Sequence, residues 1–86
     1  MYKNRSAEGR ANICGYNIMR LRKEQEGKLS QRALADKLQL VGIDLDKNAI
    51  QRIESGLRFV TDIELRAFAA IFDVTADTLL ESPEMQ

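Results

Sequence analysis

Residues 30–55, SQRALADKLQLVGIDLDKNAIQRIES, read as two short helices on either side of a turn. Ser30 is a strong N-cap and opens a helix over about Gln31–Leu38, with Leu34, Ala35 and Leu38 on its core face. Asp46 is a second cap, suited to the positive end of a helix dipole, for a helix over about Lys47–Ser55. Gly56 supplies its stop. This second helix carries Ala49, Ile50 and Ile53 on one side and Lys47, Asn48, Gln51 and Arg52 on the other. Held by its apolar side, such a helix can present polar side chains to base edges in a DNA major groove. The same residues also suit an ordinary solvated helix face. Between the helices lies QLVGIDLD, with Gly42 in its middle. Leu40, Val41, Ile43 and Leu45 make this connector so apolar that it is expected to fold back onto the domain.

Working outward, a first helix is expected over about Asn12–Glu26. Cys14, Ile18, Leu21 and Gln25 fall on one stripe at helical spacing. Asn12 can cap it and Gly27 can stop it. On the other side, Thr61-Asp62-Ile63-Glu64 is a capping box. It starts a fourth helix that runs to about Phe72, with Leu65, Phe68, Ala69 and Phe72 inward. Thr75 starts a short fifth helix, Ala76 to about Glu81, and Pro83 bars its continuation. No segment alternates like a strand. The expectation is an all-α, compact five-helix bundle over residues 11–82, with a mobile N-terminal arm over 1–10 and a tail over 83–86.

The chain has 86 residues, enough for one domain with a thin core. No run of about 18 apolar residues exists, so no membrane span is expected. The N-terminus, MYKNRSAEGRAN, has basic residues but no apolar run behind them, so it does not read as a signal peptide. One cysteine allows no internal disulfide, and with no histidine a zinc site is not expected. Cys14 reads as a small buried hydrophobe. Cytoplasmic is the default location. Net charge is zero, but its distribution is uneven. Residues 1–58 hold twelve Lys/Arg and seven Asp/Glu, a net +5, and residues 59–86 hold one and six, a net −5. A basic front and an acidic back would turn one charged face toward a polyanion.

Leu21-Arg22-Lys23, Leu29-Ser30-Gln31, Leu34-Ala35, Ile50-Gln51-Arg52-Ile53-Glu54, Gly56 and the run Phe72-Asp73-Val74-Thr75-Ala76-Asp77-Thr78-Leu79-Leu80 together resemble the Cro/C1-type (xenobiotic-response-element, phage-repressor-like) helix-turn-helix regulators. The resemblance spans roughly residues 13–80. It implies a DNA-binding domain whose third helix lies in the major groove. Lys47, Asn48 and Gln51 are then the candidate base readers, since Asn and Gln can pair with adenine and Lys with guanine. Gln31, after the second-helix cap, is implied as a phosphate contact that sets register. Arg52, Ser55 and Arg58 are further backbone-contact candidates, and Lys3, Arg5 and Arg10 of the arm could add contacts. Arg22 and Glu54 match a pair that commonly ties the first helix to the recognition helix, and they read as a structural ion pair. The chain departs from the pattern in its turn, which is about five residues longer than the usual three or four. The link from Leu21 to Gln31 is also slightly long. Asp44 and Asp46 lie near the expected phosphate path, where their charge would weaken affinity.

The function expected is a sequence-specific, DNA-binding transcriptional regulator acting as a repressor on a double-stranded operator, as a homodimer or a monomer. The alternative is a protein-interaction module on the same fold, antitoxin-like or anti-repressor-like, favoured by the neutral charge and the apolar connector. Leu57, Phe59 and the last helix are candidate dimer surfaces. No enzyme activity, cofactor, metal or small-molecule effector domain is expected.

Overall fold

The computed structural model describes residues 9–25 and 27–81. Among them are five α-helices and no strand: α1 (Gly15–Glu24), α2 (Gln31–Leu40), α3 (Lys47–Glu54), α4 (Asp62–Phe72) and α5 (Ala76–Leu80). Most of the expected arm, including Lys3 and Arg5, and the tail with Pro83 lie outside the described residues.

Local capping starts four of the helices. Ser30 Oγ accepts from Ala33 N–H, Asp46 Oδ1 from Ala49 N–H, and Thr75 Oγ1 from Thr78 N–H. Thr61 and Glu64 close a reciprocal capping box at α4. Each cap satisfies a donor that the first helical turn leaves orphaned. The helices then bury their apolar faces together. Ile18, Leu34, Leu38, Ile50, Ile53, Phe68 and Leu79 are fully buried. Each such side chain contributes about 1.5–3 kcal/mol by leaving water. α1 packs on α3, α4 and α5, and α2 packs on α3 and α4. The Asn17 amide is also buried, and it donates to Leu79 O and Glu81 O, tying the end of α5 to α1.

α1 begins at Gly15, later than the expected Asn12. The reason is that the Asn12 amide is engaged in two directions. Its Oδ1 accepts from Gly15 N–H, while its Nδ2 donates to Ile53 O and Arg58 O. The helix also ends earlier, at Glu24, because Gln25 is extended, and Gln25 is exposed and off the core stripe.

The enlarged turn differs from its expectation too. α2 runs on to Leu40 and closes with Gly42 in the left-handed region, φ 83°. Gly42 N–H bonds Gln39 O and Ile43 N–H bonds Leu38 O, the two bonds of a Schellman motif. That closure turns Ile43 and Leu45 down onto the core. It leaves Leu40 88% exposed and Val41 56% exposed. The connector therefore folds back only in its second half. The additional residues lengthen a helix and make a closed end, so α3 still starts on its own cap.

Candidate nucleic-acid interface

Ile50 and Ile53 anchor α3 in the core, while Lys47, Asn48, Gln51 and Arg52 are exposed on its other side. Among the described residues neither Lys47 nor Arg52 has an ion-pair partner. Asp46, Asn48, Ala49, Gln51, Arg52 and Arg58 line an open cleft of about 470 Å³ along this face. The Asp46 carboxylate is turned to its own helix N-terminus, 2.8 Å from Ala49 N. Asp44 is exposed nearby.

Three groups hold the inner side of α3 where it meets α1 and α2. Arg22 Nε donates to Glu54 Oε2 at 2.7 Å, and its Nη2 donates to Glu54 Oε1 at 2.9 Å. Arg22 Nη1 reaches Leu29 O at 3.1 Å. Gln31 Nε2 donates to Glu54 Oε1 at 3.0 Å. The pair is well covered, with side-chain exposures of 12% for Arg22 and 3% for Glu54. Gln31 is thus drawn to the carboxylate and stands at the start of α2 beside α3. An amide nitrogen has two N–H donors, so this bond still leaves one.

A second set of bonds was not foreseen from the sequence. Arg10, expected within the mobile arm, is only 9% exposed. Its Nη2 donates to Glu54 O at 3.0 Å, its Nε donates to Asn12 O at 3.2 Å, and its guanidinium sits 3.9 Å from the Tyr16 ring centroid. Ala11 N–H bonds Gly56 O. With Asn12 on Ile53 O and Arg58 O, the segment 10–12 receives carbonyls of the last turn of α3 and of the chain just beyond it. The partners lie more than 40 residues apart in the chain, and no local pattern announces them.

The exit of α3 holds the remaining candidates. Ser55 Oγ donates to Gln51 O at 2.9 Å, with Arg52 O at 3.3 Å, so its hydroxyl proton is engaged within the helix. Arg58 is paired with Glu64 in a two-pronged contact at 2.9 and 3.1 Å, and its Nη1 also reaches Phe59 O at 2.9 Å. Arg58 holds the Glu64 carboxyl below its ordinary pKa, and Glu64 raises that of Arg58. Cys14 lies under this region in the core. Burial pushes its thiol up to about 11, so it is not a thiolate at neutral pH. Among the described residues no group of three or more metal-ligating side chains comes together, and no helix is long and apolar enough to cross a membrane.

A capped helix pair with a polar outer face, embedded in a five-helix bundle, defines a helix-turn-helix DNA-binding domain. A helix-turn-helix family model matches residues 18–79. The chain belongs to the Cro/C1-type (XRE) helix-turn-helix family of DNA-binding regulators, and its bundle is the phage-repressor-like fold. No curated protein and no solved structure shows significant similarity to it.

Proposed function

We propose that the protein is a sequence-specific transcriptional repressor that reads its operator with the outer face of α3. One observation carries this reading. The recognition helix is tied at its C-terminal end by Glu54–Arg22–Gln31 and by the segment 10–12, capped at its start by Asp46 and anchored in the core by Ile50 and Ile53, while Lys47, Asn48, Gln51 and Arg52 face solvent. A helix so fixed has little backbone entropy left to lose on binding. In this reading Lys47, Asn48 and Gln51 read bases. Gln31 uses its second amide proton on a phosphate, and Arg52 contacts the backbone, as Ser55 does only by releasing its hydroxyl from Gln51 O. Occupancy of the operator excludes the transcription machinery. Leu57, Phe59 and Ile63 are large, exposed and within seven residues of one another beyond α3. They are the proposed surface for a second copy, which would place two reading helices about 34–36 Å apart on a two-fold operator.

Selection of bound duplexes from a random pool, followed by titration of the selected duplex at several salt concentrations, tests the proposal. A single consensus is expected, bound at least about 1,000-fold more tightly than random duplex. Log affinity should fall linearly with log salt, by about 0.9 per phosphate contacted. A two-fold symmetric consensus would report the dimer. A pool that stays random after repeated rounds would rule out sequence reading.

A further inference from the structure

The Arg58–Glu64 pair lies where the chain leaves the recognition helix. Arg58 lines the same cleft as Asn48, Gln51 and Arg52, so its position suits a phosphate at the edge of the groove. Its fork is already closed on a carboxylate, which offers the same planar, two-oxygen geometry that a phosphate would. Glu64 is not free to follow Arg58 outward. Its Oε1 also accepts Thr61 N–H at 3.0 Å as half of the α4 capping box, so the carboxylate is fixed at the first turn of α4. The backbone of Arg58 is fixed as well, because its carbonyl accepts from Asn12 Nδ2 at 2.7 Å. Arg52, one turn before the exit, has no such acidic partner.

We infer that Glu64 competes with the DNA backbone for Arg58 and so restrains the sequence-independent part of the protein's affinity for DNA. The inference rests on the DNA-binding reading above. A phosphate can engage Arg58 only by breaking an equivalent ion pair, so Arg58 adds little net affinity in the native protein. Phosphate contacts carry no sequence information, so restraining one lowers binding to all duplexes alike. The unrestrained readers on α3 then account for a larger share of the affinity.

The test is a double-mutant cycle of E64Q and R58A, read as affinity for random duplex against salt. Gln retains the capping box, since its amide oxygen can accept Thr61 N–H, and thermal melts of all four proteins check the fold. E64Q should bind random duplex more tightly than wild type and with a steeper salt dependence. With one further phosphate engaged, the ratio of E64Q to wild-type affinity should be about threefold larger at 50 mM than at 200 mM salt. R58A alone should change the slope little, and R58A with E64Q should lose the gain. An unchanged or weaker affinity in E64Q overturns the inference, as does a gain that survives R58A. If wild type shows no salt-dependent binding, the proposed function itself fails. If wild type binds and E64Q shares its slope, only the role of Glu64 fails.

Discussion

Arg22→Met is expected to destabilise the domain by about 3–5 kcal/mol, enough to leave a marginal domain of this size partly unfolded at ambient temperature. The carboxylate left behind is the reason. Glu54 is only 3% exposed at its side chain and takes both prongs of Arg22, and Gln31 alone cannot neutralise it. Leu29 O also loses its donor. Placing Met at position 22 and Leu at position 54 together removes both charges. It should recover much of the loss, because well-packed apolar replacements of a buried pair are close to neutral. Urea midpoints of the two single variants and the double give the coupling directly. A single variant as stable as wild type would show that water already reaches the pair. The same experiment guards against a misreading, since Arg22→Met would also lose DNA binding through unfolding while touching no DNA.

Gly15→Ala should cost about 3 kcal/mol, although alanine ordinarily stabilises a helix by about 1 kcal/mol over glycine. Gly15 is the first residue of α1, and a Cβ there would collide with the backbone carbonyl of Ile53 near the end of α3. It would also come within 2.7 Å of Arg10 Nη2 and 2.8 Å of Asn12 Oδ1. None of the three can step aside cheaply. Ile53 O is the acceptor for Asn12 Nδ2, and Arg10 Nη2 is bonded to Glu54 O. The close approach of two helix backbones is what lets residues 10–12 receive the end of α3. Thermal unfolding of Gly15→Ala against wild type measures the effect, and a rise in melting temperature would contradict this account of the contact.

The helices were largely legible because their signals are local. Ser30, Asp46, Thr75 and the Thr61–Glu64 box act on residues three positions away, and the apolar spacing of Leu34, Leu38, Ile50, Ile53 and Phe68 needs only the helical period. The shape of the enlarged turn was less so. Leu40 and Ile43 are equally apolar on paper, and only the closure at Gly42 sends one outward and the other to the core. Arg10 and Asn12 were misplaced for a different reason. Their charge and polarity suggested an arm and a cap; Asn12 does accept Gly15 N–H at the start of α1, but both residues also donate to carbonyls at the end of α3, far along the chain. Arg58 shows the same limit over a shorter span. Its cationic side chain reads as a phosphate contact, and nothing local to it shows that the turn into α4 also brings Glu64 to within 2.9 Å.

The central claim is that the outer face of α3 reads bases. Its most direct measurement is the affinity of wild type and Gln51→Ala for the selected duplex, for each of its single-base variants and for random duplex. Gln51 is exposed, and among the described residues its side chain supports no other element, so the fold should be untouched. The account predicts a loss of about 1–3 kcal/mol on the selected duplex, with discrimination relaxed at one base position and affinity for random duplex retained. Equal weakening across all duplexes, or no change on any of them, would contradict it.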